Sequence, residues 1–274
     1  MPAPDPNPAQ AFRRLHAAGL LVLPNAWDAG SARLVESLGA RAIATTSAGV
    51  AWSHGYADGD LLPIRLLAAT VADIARVATV PLSVDVEGGY SPDPAAVEEV
   101  VATVIGAGAV GINLEDGTAG PDLLCAKIER AKRAGNRAGV DLFVNARTDV
   151  YLSGLAPEGR RVEESLARTE RYREAGADGI FVPGVTAAAE IRAIASGTPL
   201  PLNVLARPGL PPAAELAALG ARRLSAGSGI TQAVYGRIRS LAAGFLRDGA
   251  SEPIAEGAMP YAEVNTLMGP IPSR

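Results

Sequence analysis

Apolar residues fall along this chain in two alternating textures. Short, nearly continuous runs occur at residues 20–27, 42–47, 82–87, 111–116, 142–148, 179–184, 202–206 and 223–227. A run that is apolar on both faces is what a parallel strand covered by helices presents. Between the runs lie stretches of helical period, among them SARLVESLG, DPAAVEEVVATVIGAGA, VEESLARTERYREAGA and PPAAELAALGA. Several close on Gly-Ala just before the next run, as a helix with a C-terminal glycine and a short connection does. The pairs Asp93-Pro94 and Leu210-Pro211 set proline near helix starts, where its missing N–H costs nothing. Eight strands alternating with eight helices predict an α/β fold of the (β/α)8 TIM-barrel type.

Length and charge narrow the classes. The chain has 274 residues, near the ~250 typical of an α/β barrel. No linker-like stretch divides it, so one barrel domain over residues 1–274 is expected. Residues 1–11 are Pro-rich and expected to be flexible. Residues 249–274 form an extension with a short helix expected at 261–268. The net charge is −4 with no basic cluster, so the electrostatic footprint of a nucleic-acid binder is missing. No apolar run reaches the ~18 residues of a membrane span, and the N-terminus has no signal-peptide pattern. Cys125 is the only cysteine, so no intrachain disulfide can form, as suits a reducing cytoplasm.

Barrel chemistry sits at the C-terminal strand ends, and here those ends carry charge. In PLSVDVEGGY, Asp85 and Glu87 stand two apart, so an extended backbone would send both carboxylates the same way. Such a pair repels and loses hydration unless a cation joins it, and an oxygen-rich donor set favours Mg2+ or Mn2+. GINLEDG adds Glu115 and Asp116, and FVNARTD adds Arg147 and Asp149. Trp27, Thr46 to Gly49, Pro183, Asn203 and the turn SAGSGI complete the ring of strand ends. Two histidines are too few for a zinc cluster, and His16, on the first helix, is expected to be exposed. His54 and Tyr90 are acid–base candidates near the mouth. Lysine occurs only as Lys127 and Lys132, both on the helix after Asp116, which excludes a Schiff-base aldolase with its lysine at a strand end. Plainer readings stand beside these: Arg147 and Asp149 as a buried ion pair, Asp58 as a turn residue, Asn203 as a partner for backbone groups.

In order between about residues 12 and 230, NAWDAGSARLVESLGARAIATTSAGVA, SVDVEGGY, GINLEDG, FVNARTD and GADGIFVPG resemble the isocitrate lyase/phosphoenolpyruvate mutase superfamily. The resemblance implies Mg2+-dependent chemistry on a 2-oxo acid or its enolate, with the adjacent bond made or broken. It implies Asp85 as the direct metal ligand, with Glu87 and Glu115 around the metal's water. Asp58, on the loop after the second strand, is implied as a further site acid. Arg147 is implied as the cation that steadies the oxo and carboxylate oxygens. Thr46, Ser47 and Ala48 are implied as a backbone cradle for the carboxylate, and Asn203 as a polar contact. A homodimer or homotetramer is also implied, with the C-terminal segment exchanged between paired subunits.

One stretch departs from the pattern. The superfamily's lyases carry a Lys-(Lys/Arg)-Cys-Gly-His loop after the fourth strand, and its phosphonate branch a Lys-Asn-Ser/Thr stretch. This chain reads EDGTAGPDLLCAKIE there. Cys125 falls in a helical pattern and is expected to be a packed, inert thiol. Pro183 stands where many of the lyases have a glutamate. The leading expectation is a Mg2+-dependent lyase or decarboxylase-like enzyme for a small 2-oxo dicarboxylate such as oxaloacetate or 2-oxoglutarate. The alternatives are a 2-oxo acid binding protein without bond cleavage, and a phosphoenolpyruvate or phosphonopyruvate mutase or hydrolase.

Overall fold

A computed structural model describes residues 7–270. Its strands are β1 (Leu21–Leu23), β2 (Asn25–Ala26), β3 (Ile43–Thr45), β4 (Leu82–Asp85), β5 (Gly111–Glu115), β6 (Phe143–Arg147), β7 (Gly179–Phe181), β8 (Leu202–Leu205) and β9 (Ala221–Ser225). All pair in parallel, in the order β1-β9-β8-β7-β6-β5-β4-β3-β2. The two ends of this sheet are halves of one chain segment. β1 pairs with β9 and β2 with β3, and only Pro24 separates them, a residue with no N–H to give a ladder. Counted as one split strand, they close the eight-stranded barrel that the apolar runs predict.

The helices, in chain order, are α1 (Pro8–Ala17), α2 (Ala29–Ser37), α3 (Ser47–Ser53), α4 (Ile64–Val77), α5 (Pro94–Gly106), α6 (Pro121–Ala138), α7 (Arg161–Glu174), α8 (Ala188–Ser196), α9 (Ala213–Ala218), α10 (Gly229–Asp248), α11 (Glu252–Ala255) and α12 (Tyr261–Leu267). Gly39, Gly108, Gly176 and Gly220, each one residue before an alanine and the next strand, have φ between 95 and 114°. Only glycine takes that conformation cheaply, which explains the Gly-Ala endings. At Gly108 a Cβ would also meet the Ala75 methyl at 2.7 Å. The expected start of α5 holds too: Pro94 opens the helix and the Asp93 carboxylate accepts the Ala95 N–H at 2.9 Å.

Three expectations change. His16 is not exposed but 5% accessible. α1 lies across the N-terminal end of the barrel, where His16 stacks on Phe143 at 4.3 Å and its Nδ1 lies 2.9 Å from the Phe12 carbonyl. The strand at 42–47 stops at Thr45, and α3 begins at once, with Gly49 so tightly packed that a Cβ would meet Thr46 Cγ2 at 2.7 Å. The strand at 82–87 stops at Asp85, with consequences for Glu87 described below. Beyond the barrel, α10 has one buried residue, Thr231. α12 matches the short helix expected at 261–268. Among the described residues, no helix is long and apolar enough to cross a membrane.

Candidate active site

β5 and β6 deliver the central charges. Glu115 and Arg147 are their last residues and are paired in register. Arg147 Nη1 lies 2.6 Å from Glu115 Oε2, while Nε and Nη2 donate to the two Asp149 carboxylate oxygens at 2.7 and 2.9 Å. This fork-on-fork geometry fixes the guanidinium plane. Burial works against its charge, but Glu115 and Asp149 outweigh burial and raise its pKa. Glu115 fares differently. Burial pushes its carboxyl up to about 8, with Arg147 opposing and Asp85 adding repulsion. Asp116, next in sequence, turns away from the mouth. Its carboxylate accepts from the Thr148 hydroxyl, the Asp149 N–H, Arg168 and the Tyr172 hydroxyl, at 2.6 to 2.9 Å. A carboxylate so saturated is a brace for the loop that carries Asp149.

Asp85 ends β4. Its N–H donates to Thr45 Oγ1 at 2.8 Å, and burial raises its carboxyl pKa while Arg147 pulls it down. Glu87 does not follow it along an extended strand. With φ at 52° it turns out of the β direction. Its Oε2 accepts the N–H groups of Gly59, at 2.8 Å, and Asp60, and its Oε1 accepts the Tyr90 hydroxyl at 2.8 Å. The Asp60 carboxylate in turn accepts the Tyr90 N–H at 3.0 Å. Asp60, Glu87 and Tyr90 are the non-glycine residues of positive φ among the described residues. Such strain persists only where the surroundings hold it. The latch so formed presses the loop after α3 onto the β4–α5 turn, and that loop carries Asp58, which is exposed yet close enough to raise the pKa of Asp85 and Glu87 by charge repulsion.

Thr46, Ser47 and Ala48 lie at the start of α3. Its first intrahelical bond runs from the Val50 N–H to the Thr46 carbonyl, so the N–H groups of Ser47 and Ala48 have no acceptor within the helix. Asn203 is 1% exposed on β8. Its Oδ1 accepts from Ser225 Oγ at 3.1 Å, while its Nδ2 has no partner. Beside it on β9 the fully buried Arg223 donates from Nε to Ser225 Oγ at 2.9 Å, with both terminal nitrogens unpartnered. The sequence reading did not single out Arg223; two adjacent arginines, Arg222 and Arg223, within the five residues of β9 were the available signal.

Lys127 was also missed. On the helix wheel of α6 it falls on the buried face, and its amine reaches back to donate to the Gly88 carbonyl at 2.5 Å. It lines a cavity of about 210 Å3 with Asp60, Gly88, Glu115 and residues 116–119. Cys125 faces elsewhere, its Sγ 3.6 Å from the Arg171 carbonyl on α7, and burial raises its thiol pKa. His54 pairs with Thr70 Oγ1 at 2.9 Å.

The donor set suits a hard cation. Asp85 and Glu115 are desolvated acids of raised pKa facing the same mouth, and a divalent ion would relieve both. Among the described residues no group of three His, Cys, Asp or Glu side chains forms a cage.

Comparison with known proteins identifies the family. The family model "Phosphoenolpyruvate phosphomutase" matches residues 12–246. An uncharacterized protein of Mycobacterium tuberculosis is 37% identical over 94% of this chain and 96% of its own length. Oxaloacetate decarboxylase of Bradyrhizobium sp. (strain BTAi1) is 30% identical over 87% of this chain and 84% of its own. Among solved structures, a putative phosphonomutase from Burkholderia cenocepacia J2315 superposes with a TM-score of 0.81 at 42% identity, covering 86% of this chain and 98% of that one. A phosphonopyruvate hydrolase complexed with oxalate and Mg2+ superposes with a TM-score of 0.83 at 27% identity, over 95% and 94%. With the match spanning the whole barrel, the chain belongs to the phosphoenolpyruvate phosphomutase family within the PEP mutase/isocitrate lyase superfamily, and is an enzyme of its carbon–carbon lyase type.

Proposed function

We propose that the enzyme is a Mg2+-dependent lyase, decarboxylase-like, for a small 2-oxo dicarboxylate such as oxaloacetate or 2-oxoglutarate. The Arg147 guanidinium, held by Asp149 and Glu115 at the strand end beside Asp85, carries the reading. With Nε and one Nη2 N–H given to Asp149 and one Nη1 N–H facing Glu115, the second N–H of each terminal nitrogen is left to donate to a carboxylate or oxo oxygen. The first N–H groups of α3 add donors where negative charge grows on the oxo oxygen. One preorganised donor of this kind is worth roughly 3 kcal/mol. When bound, a divalent ion held by Asp85 and Glu115 would supply Lewis-acid stabilisation at the same oxygen. Glu87 bears on the site through the loop it holds, and that loop keeps Asp58 near the mouth as the acid–base candidate.

The proposal extends to a one-domain cytoplasmic homodimer or homotetramer without membrane or nucleic-acid partners; the net charge of −4 speaks against nucleic acid, and the exposed apolar face of α10 supports association. A phosphonopyruvate mutase or hydrolase reaction remains the alternative. It uses the same oxo-carboxylate end, and the structural likeness to a putative phosphonomutase favours it.

Calorimetric titration with pyruvate, oxaloacetate and 2-oxoglutarate, with and without Mg2+ and alongside turnover of each, tests the reading. The dicarboxylates should bind only with metal present, and Asp85→Ala should abolish both metal and ligand binding without unfolding the protein. Absence of any 2-oxo acid binding in the presence of Mg2+ overturns the assignment.

A further inference from the structure

Glu115, Arg147, Phe181 and Asn203 are register partners from β5 to β8, and Arg223 on β9 partners Asn203 in turn. Partners in a parallel ladder present their side chains on the same face. One level of the barrel therefore runs from the charged pair at the mouth to an amide and a second guanidinium. Between them lies the Phe181 ring, whose centroid is 6.0 Å from the Arg147 guanidinium carbon. Arg223 reaches this level through an irregularity. Leu202 pairs with Ala221 and Asn203 with Arg223, so β9 carries Arg222 as an extra residue across that step. A bulge of this kind re-aims a side chain, often beside an active site. Here it sets Arg223 against Asn203.

The hydrogen bonds at this end of the level have a fixed direction. Burial lowers the Arg223 pKa to about 9, with Asp85 opposing, so the guanidinium is charged at neutral pH. In that form it has donors and no acceptor. Its Nε donates to Ser225 Oγ at 2.9 Å. The hydroxyl, receiving a donor on that side, gives its own proton to Asn203 Oδ1 at 3.1 Å. The carbonyl end of the amide is thereby held against Ser225. Nδ2 is turned the other way, and it is left without a partner in a residue 1% exposed. Turning the amide over would take from the Ser225 proton the acceptor it now has. A buried polar group left unpaired is destabilising, which favours the orientation observed.

We propose that Arg223, acting through Ser225, is a positioning residue that holds the Asn203 amide with its N–H groups toward the bound 2-oxo acid. The proposal rests on the 2-oxo acid reading above and adds to it a selection by hydrogen-bond polarity. The β8 side of the mouth donates. It receives a carboxylate, phosphonate or oxo oxygen, and it offers no acceptor to a ligand hydroxyl or ammonium. The two arginines then have separate tasks. Arg147 meets the ligand itself, whereas Arg223 sets the direction of a neutral donor that meets it.

The test is a double-mutant cycle read by calorimetry with pyruvate and 2-oxoglutarate in the presence of Mg2+. It compares wild type, Ser225→Ala, Asn203→Ala, the two combined, and Arg223→Gln, each first checked for folding by circular dichroism. Ser225→Ala keeps the Arg223 charge and the Asn203 amide and removes only the link between them. Asn203→Ala should weaken the tighter acid by about tenfold, and Ser225→Ala by about fivefold, the low end for a hydrogen bond to a charged group. In the Asn203→Ala background Ser225→Ala should cost less than about twofold, because the amide it orients is gone. Mn2+ affinity without acid should stay within about twofold in Ser225→Ala, which separates the link from any effect on Asp85. Arg223→Gln, whose amide can accept as well as donate, should weaken the acid about as Ser225→Ala does; should it fail to fold, the Ser225 cycle decides alone. Unchanged acid affinity in Ser225→Ala, additive losses in the double variant, or loss of Mn2+ binding in Ser225→Ala each overturns the proposal while leaving the 2-oxo acid reading in place. If wild type binds neither acid with Mg2+, that reading falls and the proposal falls with it.

Discussion

At the scale of single residues, position along a strand does not decide whether a charge is at work or at rest. Glu115 and Asp116 are adjacent, yet one borders the mouth with a carboxyl pushed up to about 8 by burial, and the other is a saturated brace. His16 shows burial in a simpler form. Burial lowers its pKa to about 3, with the charge of Arg223 adding to the effect and the Phe12 carbonyl opposing it. A histidine whose folded pKa lies below its unfolded value of ~6.5 contributes stability that is present above pH ~6.5 and is lost as pH falls toward 3. Wild type should therefore be about 2 kcal/mol less stable at pH 5 than at pH 7 from this group. Denaturant unfolding at both pH values checks it, with His16→Phe losing that part of the slope. An unchanged slope in the variant would show that the imidazole is charged or solvated in the native state.

At the scale of elements, the β4–α5 turn and the loop after α3 behave as one unit. Glu87 is long enough to reach two N–H groups of the loop and the Tyr90 hydroxyl at once, and three left-handed residues are held in place by those bonds. Lys127 anchors the same turn through Gly88. Glu87→Gln removes the charge from the latch while keeping its length. Hydrogen exchange at Gly59 and Asp60 should then quicken by about ten- to a hundredfold, as expected for loss of a charged hydrogen bond. Mn2+ affinity should fall far less than in Asp85→Ala. Equal loss of metal affinity in the two variants would make Glu87 a metal ligand rather than a latch.

At the scale of the whole molecule, α10 to α12 stand apart from the barrel's economy of burial. Ile238 and Phe245 on α10 are 55% and 50% exposed, and Leu246 and Tyr261 more so. Apolar side chains gathered on one extension mark an association surface more often than a solvated one. Sedimentation velocity at micromolar concentration should show a dimer or tetramer, and Ile238→Ser with Phe245→Ser should shift it toward monomer. A wild type that sediments as a monomer would remove the basis for an exchanged C-terminal segment.

The chain alone determined the barrel and the charged strand ends. Both-face burial of a parallel strand, the glycine that ends a helix and the proline that starts one are all local constraints, so they appear as local patterns. The order of Asp85, Glu115 and Arg147 on successive strands follows from them directly. Only the tertiary structure decided where Glu87 points, what Lys127 reaches and whether His16 meets water. Glu87 and Gly59 are 28 residues apart, and Lys127 and Gly88 are 39 apart. Those contacts depend on how far one turn stands from another after the barrel closes. A strand period carried two residues past Asp85 requires an extended backbone, whereas Glu87 has a φ of 52° and accepts the loop's N–H groups.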